Sequence, residues 1–200
     1  MGTETGRWYN KRVIQAIIFD CFGVVRPDML RASYAKFGGD PGEDREFIAD
    51  TLYASHTGRI GSSAPVFAEH LGVSEATWFK AITSVSNDEQ LLAYITELRK
   101  QYKIGMLSNV GRDGLLRYFT QTELDAHFDS VVVSGEIGFA KPEAQAYEIT
   151  ADRLRVLLNE CVFTDDKPAY CEAARAVGMQ AIVYDSFDQF RSDLRKVLAK

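Results

Sequence analysis

The chain has 200 residues, 46% hydrophobic and 26% charged, with a formal net charge of −5. This is the balance of an ordinary globular protein, and a chain of this length buries about 70% of its unfolded surface without staples. The absence of a Lys/Arg block excludes nucleic acid as the main partner, and no run approaches the ~20 apolar residues that would cross a membrane.

The leader MGTETGRWYNKR has no apolar signal-peptide core, and Gly6 stands where myristoylation needs Ser or Thr, so it reads as a loose segment. VIQAIIFD (13–20) then reads as a buried strand: continuous, β-branched and ending on an acid. Some sixty residues without a strong strand follow. Within them DREFIADTLYASHTG, SSAPVFAEHLGV and SEATWFKAITSVS read as helices separated by Gly and Ser. NDEQLLAYITELRKQY (87–102) is a longer helix, with Asn87 as N-cap and Gln90 three residues on. Its Leu91, Leu92, Ile95 and Leu98 share a face. KIGMLSN (103–109) and SVVVSG (130–135) are the second and third strands. A helix opens at Pro142; ECVFTDD (160–166) is the fourth strand; a helix runs from Pro168 to Gly178. MQAIVYD (179–185) is the fifth strand and 187–199 the last helix. The alternation predicts an α/β fold with a parallel sheet and right-handed crossovers. An insertion after the first strand lies over that strand's C-terminal end, where open α/β sheets bind ligands. Residues 1–25 and 86–200 therefore form a Rossmann-like core, and 26–85 a helical cap. The odd count of three cysteines, Cys21, Cys161 and Cys171, argues for reduced core residues in a cytoplasmic protein.

Polar groups mark the strand ends. Asp20 closes the first strand, Ser108-Asn109 the second and Asp165-Asp166 the fourth; Lys141 opens the helix after the third. In a parallel sheet these ends share one edge. Taken singly, each has a plainer reading: a solvated lysine, a turn serine, or acids capping the helix at Pro168. An unpaired acid at the end of a central strand is costly to bury, however, and four such stations in order point to a site.

These segments resemble the haloacid dehalogenase superfamily of hydrolases. IIFDCFGVV resembles its first motif, MLSN its second, Lys141 in GFAKPE its third and VFTDDKPAYCEAARAVGM its fourth. HTGRIGSSAPVFAEHLG resembles the helical cap of the sugar-phosphate phosphatase branch, with proteins like α-D-glucose-1-phosphate phosphatase as the nearest likeness. The resemblance implies a three-layer sheet of order 5-4-1-2-3. It implies an enzyme hydrolysing small phosphorylated metabolites, sugar-phosphate-like monoesters, with Mg²⁺. Asp20 would be the nucleophile, forming an aspartyl-phosphate. Asp20, the backbone carbonyl of Phe22 and Asp166 would hold the metal, with Asp165 close by. Lys141 would neutralise the phosphate and steady Asp20, while Ser108 and Asn109 would bind the substrate.

Phe22 departs from the pattern. Most phosphatases of the superfamily carry a second Asp there, which protonates the leaving alcohol and then activates water; losing a general acid costs about 10²–10⁴-fold. The resemblance implies that the carbonyl would still serve the metal, so the departure touches the proton step and not the metal or the nucleophile. His56 and Arg59 in the cap are candidates to replace it. Two alternatives follow from Phe22. A 2-haloacid dehalogenase carries an aromatic residue there, but lacks the acidic pair and uses a further Asp where Tyr170 stands. A non-catalytic scaffold that binds a phospho-ligand would also tolerate Phe22. Receiver domains use the same residue types around Mg²⁺ in a different chain order.

Overall fold

The computed structural model describes residues 13–199; the leader MGTETGRWYNKR lies outside them. Five strands form one sheet: β1 (Ala16–Phe19), β2 (Lys103–Ser108), β3 (Ser130–Val133), β4 (Cys161–Asp165) and β5 (Gln180–Val183). All pairings are parallel, in the order β3-β2-β1-β4-β5, which is the expected order. β1 is central, and all four of its residues are completely buried.

Side chains alternate across a strand, so β1 serves both faces of the sheet. Ile17 and Phe19 join Ile104, Met106 and Val162 on one side, and Leu91, Ile95, Phe190 and Leu194 pack against them. These four come from α5 (Glu89–Leu98) and α10 (Phe187–Leu198). Ala16 and Ile18 join Leu107, Cys161 and Phe163 on the other, under Tyr147, Ala151, Cys171 and Ala174. That layer belongs to α8 (Ala144–Leu154) and α9 (Pro168–Ala176). Burying each large apolar side chain contributes roughly 1.5–3 kcal/mol, so this double-sided burial makes the sheet a rigid base.

Between β1 and α5 lie four helices: α1 (Leu30–Lys36), α2 (Arg45–His56), α3 (Ala64–His70) and α4 (Glu75–Ile82). They enclose a separate hydrophobic cluster of Tyr34, Ile48, Ala64, Phe67, Ala68 and Trp78. Phe67 is its hub, its ring within 5.9 Å of Tyr34, Phe47 and Trp78.

Local differences from the sequence expectation have local causes. Asp88, not Asn87, caps α5: its carboxylate accepts from Leu91 N–H at 2.9 Å, while Asn87 is taken by the Arg26 guanidinium at 2.9 Å. The helix expected from Pro142 begins two residues later, at Ala144. Two elements come in addition after β2: α6 (Gln121–His127) and α7 (Ser134–Ile137). α6 does carry a sequence signature, the reciprocal Thr120–Glu123 capping box. α1 has none; its seven residues have no side-chain cap. The three cysteines are free and buried, and no described helix is long and apolar enough to cross a membrane.

Candidate active site

Register brings the acids together. Phe19 pairs with Met106 on one side and Thr164 on the other. The next residue, Asp20, donates its N–H to the Thr164 carbonyl at 2.9 Å and so stands level with Asp165. Lys141 reaches in from the loop before α8. Its Nζ lies 2.7 Å from Asp20 Oδ1 and 2.6 Å from Asp165 Oδ2, and all three side chains are shielded from solvent. Asn109 holds this lysine's backbone from both sides: its amide donates to the Lys141 carbonyl and its oxygen accepts the Lys141 N–H, each at 2.9 Å. The Asn109 side chain is thus spent on placing Lys141.

Asp20 is divided in its contacts. Oδ1 accepts from Lys141 and, at 2.7 Å, from Cys21 N–H. Oδ2 has no hydrogen-bond partner among the described residues, and Asp20 lines the cavity above. Asp165 Oδ1 is tied to Lys167 N–H at 2.9 Å. Asp166 completes the set: oxygens of Asp20, Asp165 and Asp166 lie within 4.8 Å of one another. Its Oδ1 is buried without a partner, as are the hydroxyls of Ser108 and Thr164. Gly23 makes the room. It sits at φ +94°, and a Cβ there would stand 2.5 Å from the Asp166 carboxyl carbon. A side chain at position 23 would therefore meet both strain and collision.

Electrostatics follow from this crowding. Burial pushes the Asp20 carboxyl up to about 7; Lys141 opposes the shift and Asp165 adds to it. Asp166 is raised by burial and, further, by Asp165. Burial alone would lower Lys141, but Asp20 and Asp165 overturn it and hold the ammonium charged. One ammonium facing three carboxylates leaves an excess of negative charge. All-oxygen donors, an orphaned Asp166 oxygen and a Phe22 carbonyl that accepts no hydrogen bond among the described residues fit a hard divalent cation such as Mg²⁺.

Above the acids lies a cavity of about 130 Å³ between the sheet edge and helices α1–α4. Asp20, Asn109 and Lys141 open onto it; Ser108, Asp165 and Asp166 do not line it. Its opposite wall is largely apolar, with Met29, Leu30, Leu52, Trp78, Phe79 and Ile82. Phe22 joins that wall, its ring packed edge-on at 5.0 Å against Tyr118, over which the Arg26 guanidinium sits at 4.3 Å. Of the two cap residues picked out in the sequence, His56 lines the cavity and Arg59 does not: its guanidinium lies over the exposed Tyr53 ring at 4.9 Å. Tyr118 and Arg112 also line the cavity. They come from the irregular chain after β2, where no periodicity singles them out.

Residues 67–184, more than half of the chain, match the family described as haloacid dehalogenase-like hydrolase. The chain belongs to this family. The match includes Ser108, Lys141, Asp165 and Asp166, while Asp20 lies before it. Among curated relatives, bifunctional epoxide hydrolase 2 of Mus musculus is 37% identical over 75% of this chain and 27% of its own length. Phosphatase MT3486 of Mycobacterium tuberculosis (strain CDC 1551 / Oshkosh) is 34% identical over 50% of this chain and 47% of its own. The chain thus spans less than half the length of these relatives. Among solved structures, the family enzyme bt-2542 of Bacteroides thetaiotaomicron, in complex with magnesium and inorganic phosphate, superposes with a TM-score of 0.71 at 19% identity, over 88% of this chain and 98% of that one. L-2-haloacid dehalogenase of Xanthobacter autotrophicus gives 0.65 at 18%, over 92% and 83%. Both likenesses concern the fold.

Proposed function

We propose that the protein is a Mg²⁺-dependent phosphatase of small organic phosphomonoesters. The carrying observation is Asp20, buried on Lys141 through one carboxylate oxygen, with the other unpartnered at the cavity. Asp20 Oδ2 forms a bond to phosphorus as the ester oxygen departs, giving an aspartyl-phosphate. Water then attacks phosphorus and frees the carboxylate and inorganic phosphate. Asp20, Asp166 and the Phe22 carbonyl would hold the metal, with Asp165 beside them. Bound Mg²⁺ supplies charge neutralisation for two anions that must meet. Lys141 holds Asp20 in position and offsets developing charge. Asn109, at the cavity wall, serves substrate binding by fixing the Lys141 backbone, and the Ser108 hydroxyl, buried without a partner, would donate to a phosphate oxygen.

Residues 26–85 act as the cap over a core that, among the described residues, comprises 13–25 and 86–199, and this cap sets the substrate. A sugar-phosphate-like monoester is compatible with its mixed wall: Ser55, Ser62, Ser63 and Arg112 for hydroxyls, Trp78 and Phe79 for a ring face. The buried thiols suit the reducing cytoplasm. Phosphatase MT3486 and the magnesium–phosphate complex of bt-2542 support this reading.

A panel of phosphomonoesters with and without Mg²⁺ tests it: metal-dependent phosphate release is expected, and turnover that survives chelation unchanged would remove the metal from the reading. One observation favours dehalogenation instead, the aromatic Phe22 in the cavity wall together with the haloacid dehalogenase likeness. The acid cluster opposes it, because a carboxylate substrate would meet like charge. Halide release from a 2-haloacid would reverse the preference. Thermal stabilisation by phosphate without either turnover would mark a binding scaffold.

A further inference from the structure

We infer that His56, carried into the cavity by the cap, moves the proton that Phe22 cannot. The inference rests on the phosphatase reading and assigns that site its missing acid–base group.

Elimination among the cavity-lining side chains leads there. Phe22 has no proton to exchange. Lys141 is locked between two carboxylates. Tyr118 is pushed up to about 12 by burial, beyond useful exchange near neutrality. The Arg112 and Arg117 guanidiniums offer donors but no acceptor for a proton in transit. Asp28 is exposed and accepts from Leu30 N–H at 3.0 Å. His56 brings the one imidazole among the lining side chains, the type whose ordinary chemistry lies near neutrality.

The placement is specific. His56 is the last residue of α2, and its ring makes no hydrogen bond to any described residue. The loop that follows is pressed against the core through glycines. A Cβ on Gly111, after β2, would lie 2.5 Å from Ser55 Oγ and 2.6 Å from the Gly61 carbonyl oxygen. One on Gly58 would lie 2.6 Å from the Gly135 carbonyl. This close backbone seam sets the height of His56 above the sheet edge. Burial, then Lys167 and Lys141, push its imidazole down to about 3, so it waits as a free base; the opposite charge of a phosphate dianion bound beside it favours the imidazolium and raises it again. Asp20 and Arg112 share the cavity with it.

The proton account closes. A phosphomonoester monoanion enters and passes its proton to His56, becoming a dianion beside an imidazolium. As Asp20 Oδ2 bonds to phosphorus, the P–O bond to the alcohol breaks and the imidazolium protonates the departing oxygen. The neutral ring next takes a proton from water as that oxygen attacks phosphorus and the P–O bond to Asp20 breaks. The proton leaves with phosphate.

The test compares wild type, His56→Gln and His56→Ala, each with Mg²⁺, on an alkyl phosphate and on p-nitrophenyl phosphate. For both variants kcat should fall about 10²–10³-fold on the alkyl ester, with KM little changed. On p-nitrophenyl phosphate, whose leaving group needs no proton, the variants should show a burst of nitrophenol equal to the enzyme concentration. The aspartyl-phosphate should then be detectable by intact mass, and added imidazole should speed its decay in His56→Ala. A merely structural role would give neither burst nor rescue. An active wild type matched by an equally active, burst-free His56→Gln overturns the inference alone. A wild type that hydrolyses no phosphomonoester overturns the phosphatase reading, and this inference with it.

Discussion

The floor and the roof of the cavity are built by opposite means. The floor is charged and buried: Asp20, Lys141 and Asp165 are at most 4% exposed and held by ion pairs of 2.6–2.7 Å on a five-stranded sheet. The roof is apolar and aromatic, four short helices around Phe67 and Trp78, and it offers the cavity one imidazole. The difference teaches how the labour divides. Floor geometry comes from strand register, which tolerates no slip, because one residue of slip would turn every side chain to the wrong face. Roof geometry comes from packing and from a seam of glycines, which sets a height rather than a register.

The comparison breaks most sharply at the nucleophile. Asp20→Asn should lower Mg²⁺-dependent turnover by about 10⁴-fold or more, measured on the best ester of the panel; undiminished turnover would remove Asp20 from its role. Stability should next separate the regions in kind rather than size. Lys141→Met leaves Asp20 and Asp165 buried without their cation and should cost about 3–5 kcal/mol, together with activity. Phe67→Ala empties the hub of the helical cluster and should also cost about 3–5 kcal/mol, read by denaturant melts. Added Mg²⁺ should recover part of the first loss and none of the second.

Smaller effects probe the seam. Gly111→Ala forces the Ser55–Gly61 segment outward and should lower kcat by roughly 10–10²-fold, since displacements near 1 Å cost that much, while Mg²⁺ affinity stays at the wild-type value by titration. The smallest expected effect is on stability against pH. The folded-state pKa of His56 is pushed down from 6.5 to about 3 by burial and by Lys167 and Lys141. Below pH 6.5 the unfolded chain therefore takes up a proton that the folded chain refuses. The contribution of His56 is complete above pH 6.5 and is lost as pH falls from there towards 3. His56→Gln should flatten that part of the melting profile; an unchanged slope would place the imidazole in water.

The core was legible because its signals are local. β1 to β5 are short β-branched runs, and the polar residue after each run marks the edge where the chain changes direction. Asp20, Ser108, Asn109, Asp165 and Asp166 stand out this way, and Lys141 stands out at the start of the helix that follows β3. The helical layer above the sheet edge was legible only as helices: α2, α3 and α4 follow from periodicity, whereas α1, with seven residues and no side-chain cap, does not.

Residue identity and spacing by themselves pointed to the parallel sheet and to acids gathered at one edge, since strand ends in such a sheet share an edge wherever the loops go, and the likeness of four motifs pointed to the family. Tertiary structure alone decided what each acid touches, that Asn109 is spent on the Lys141 backbone, and that of the two candidates His56 lines the cavity while Arg59 lies over Tyr53. The physical reason is range. Local patterns set which way a strand's side chains alternate, but the facing of a helix end across a cavity depends on contacts between segments fifty and more residues apart, such as Ser55 and Gly61 on Gly111.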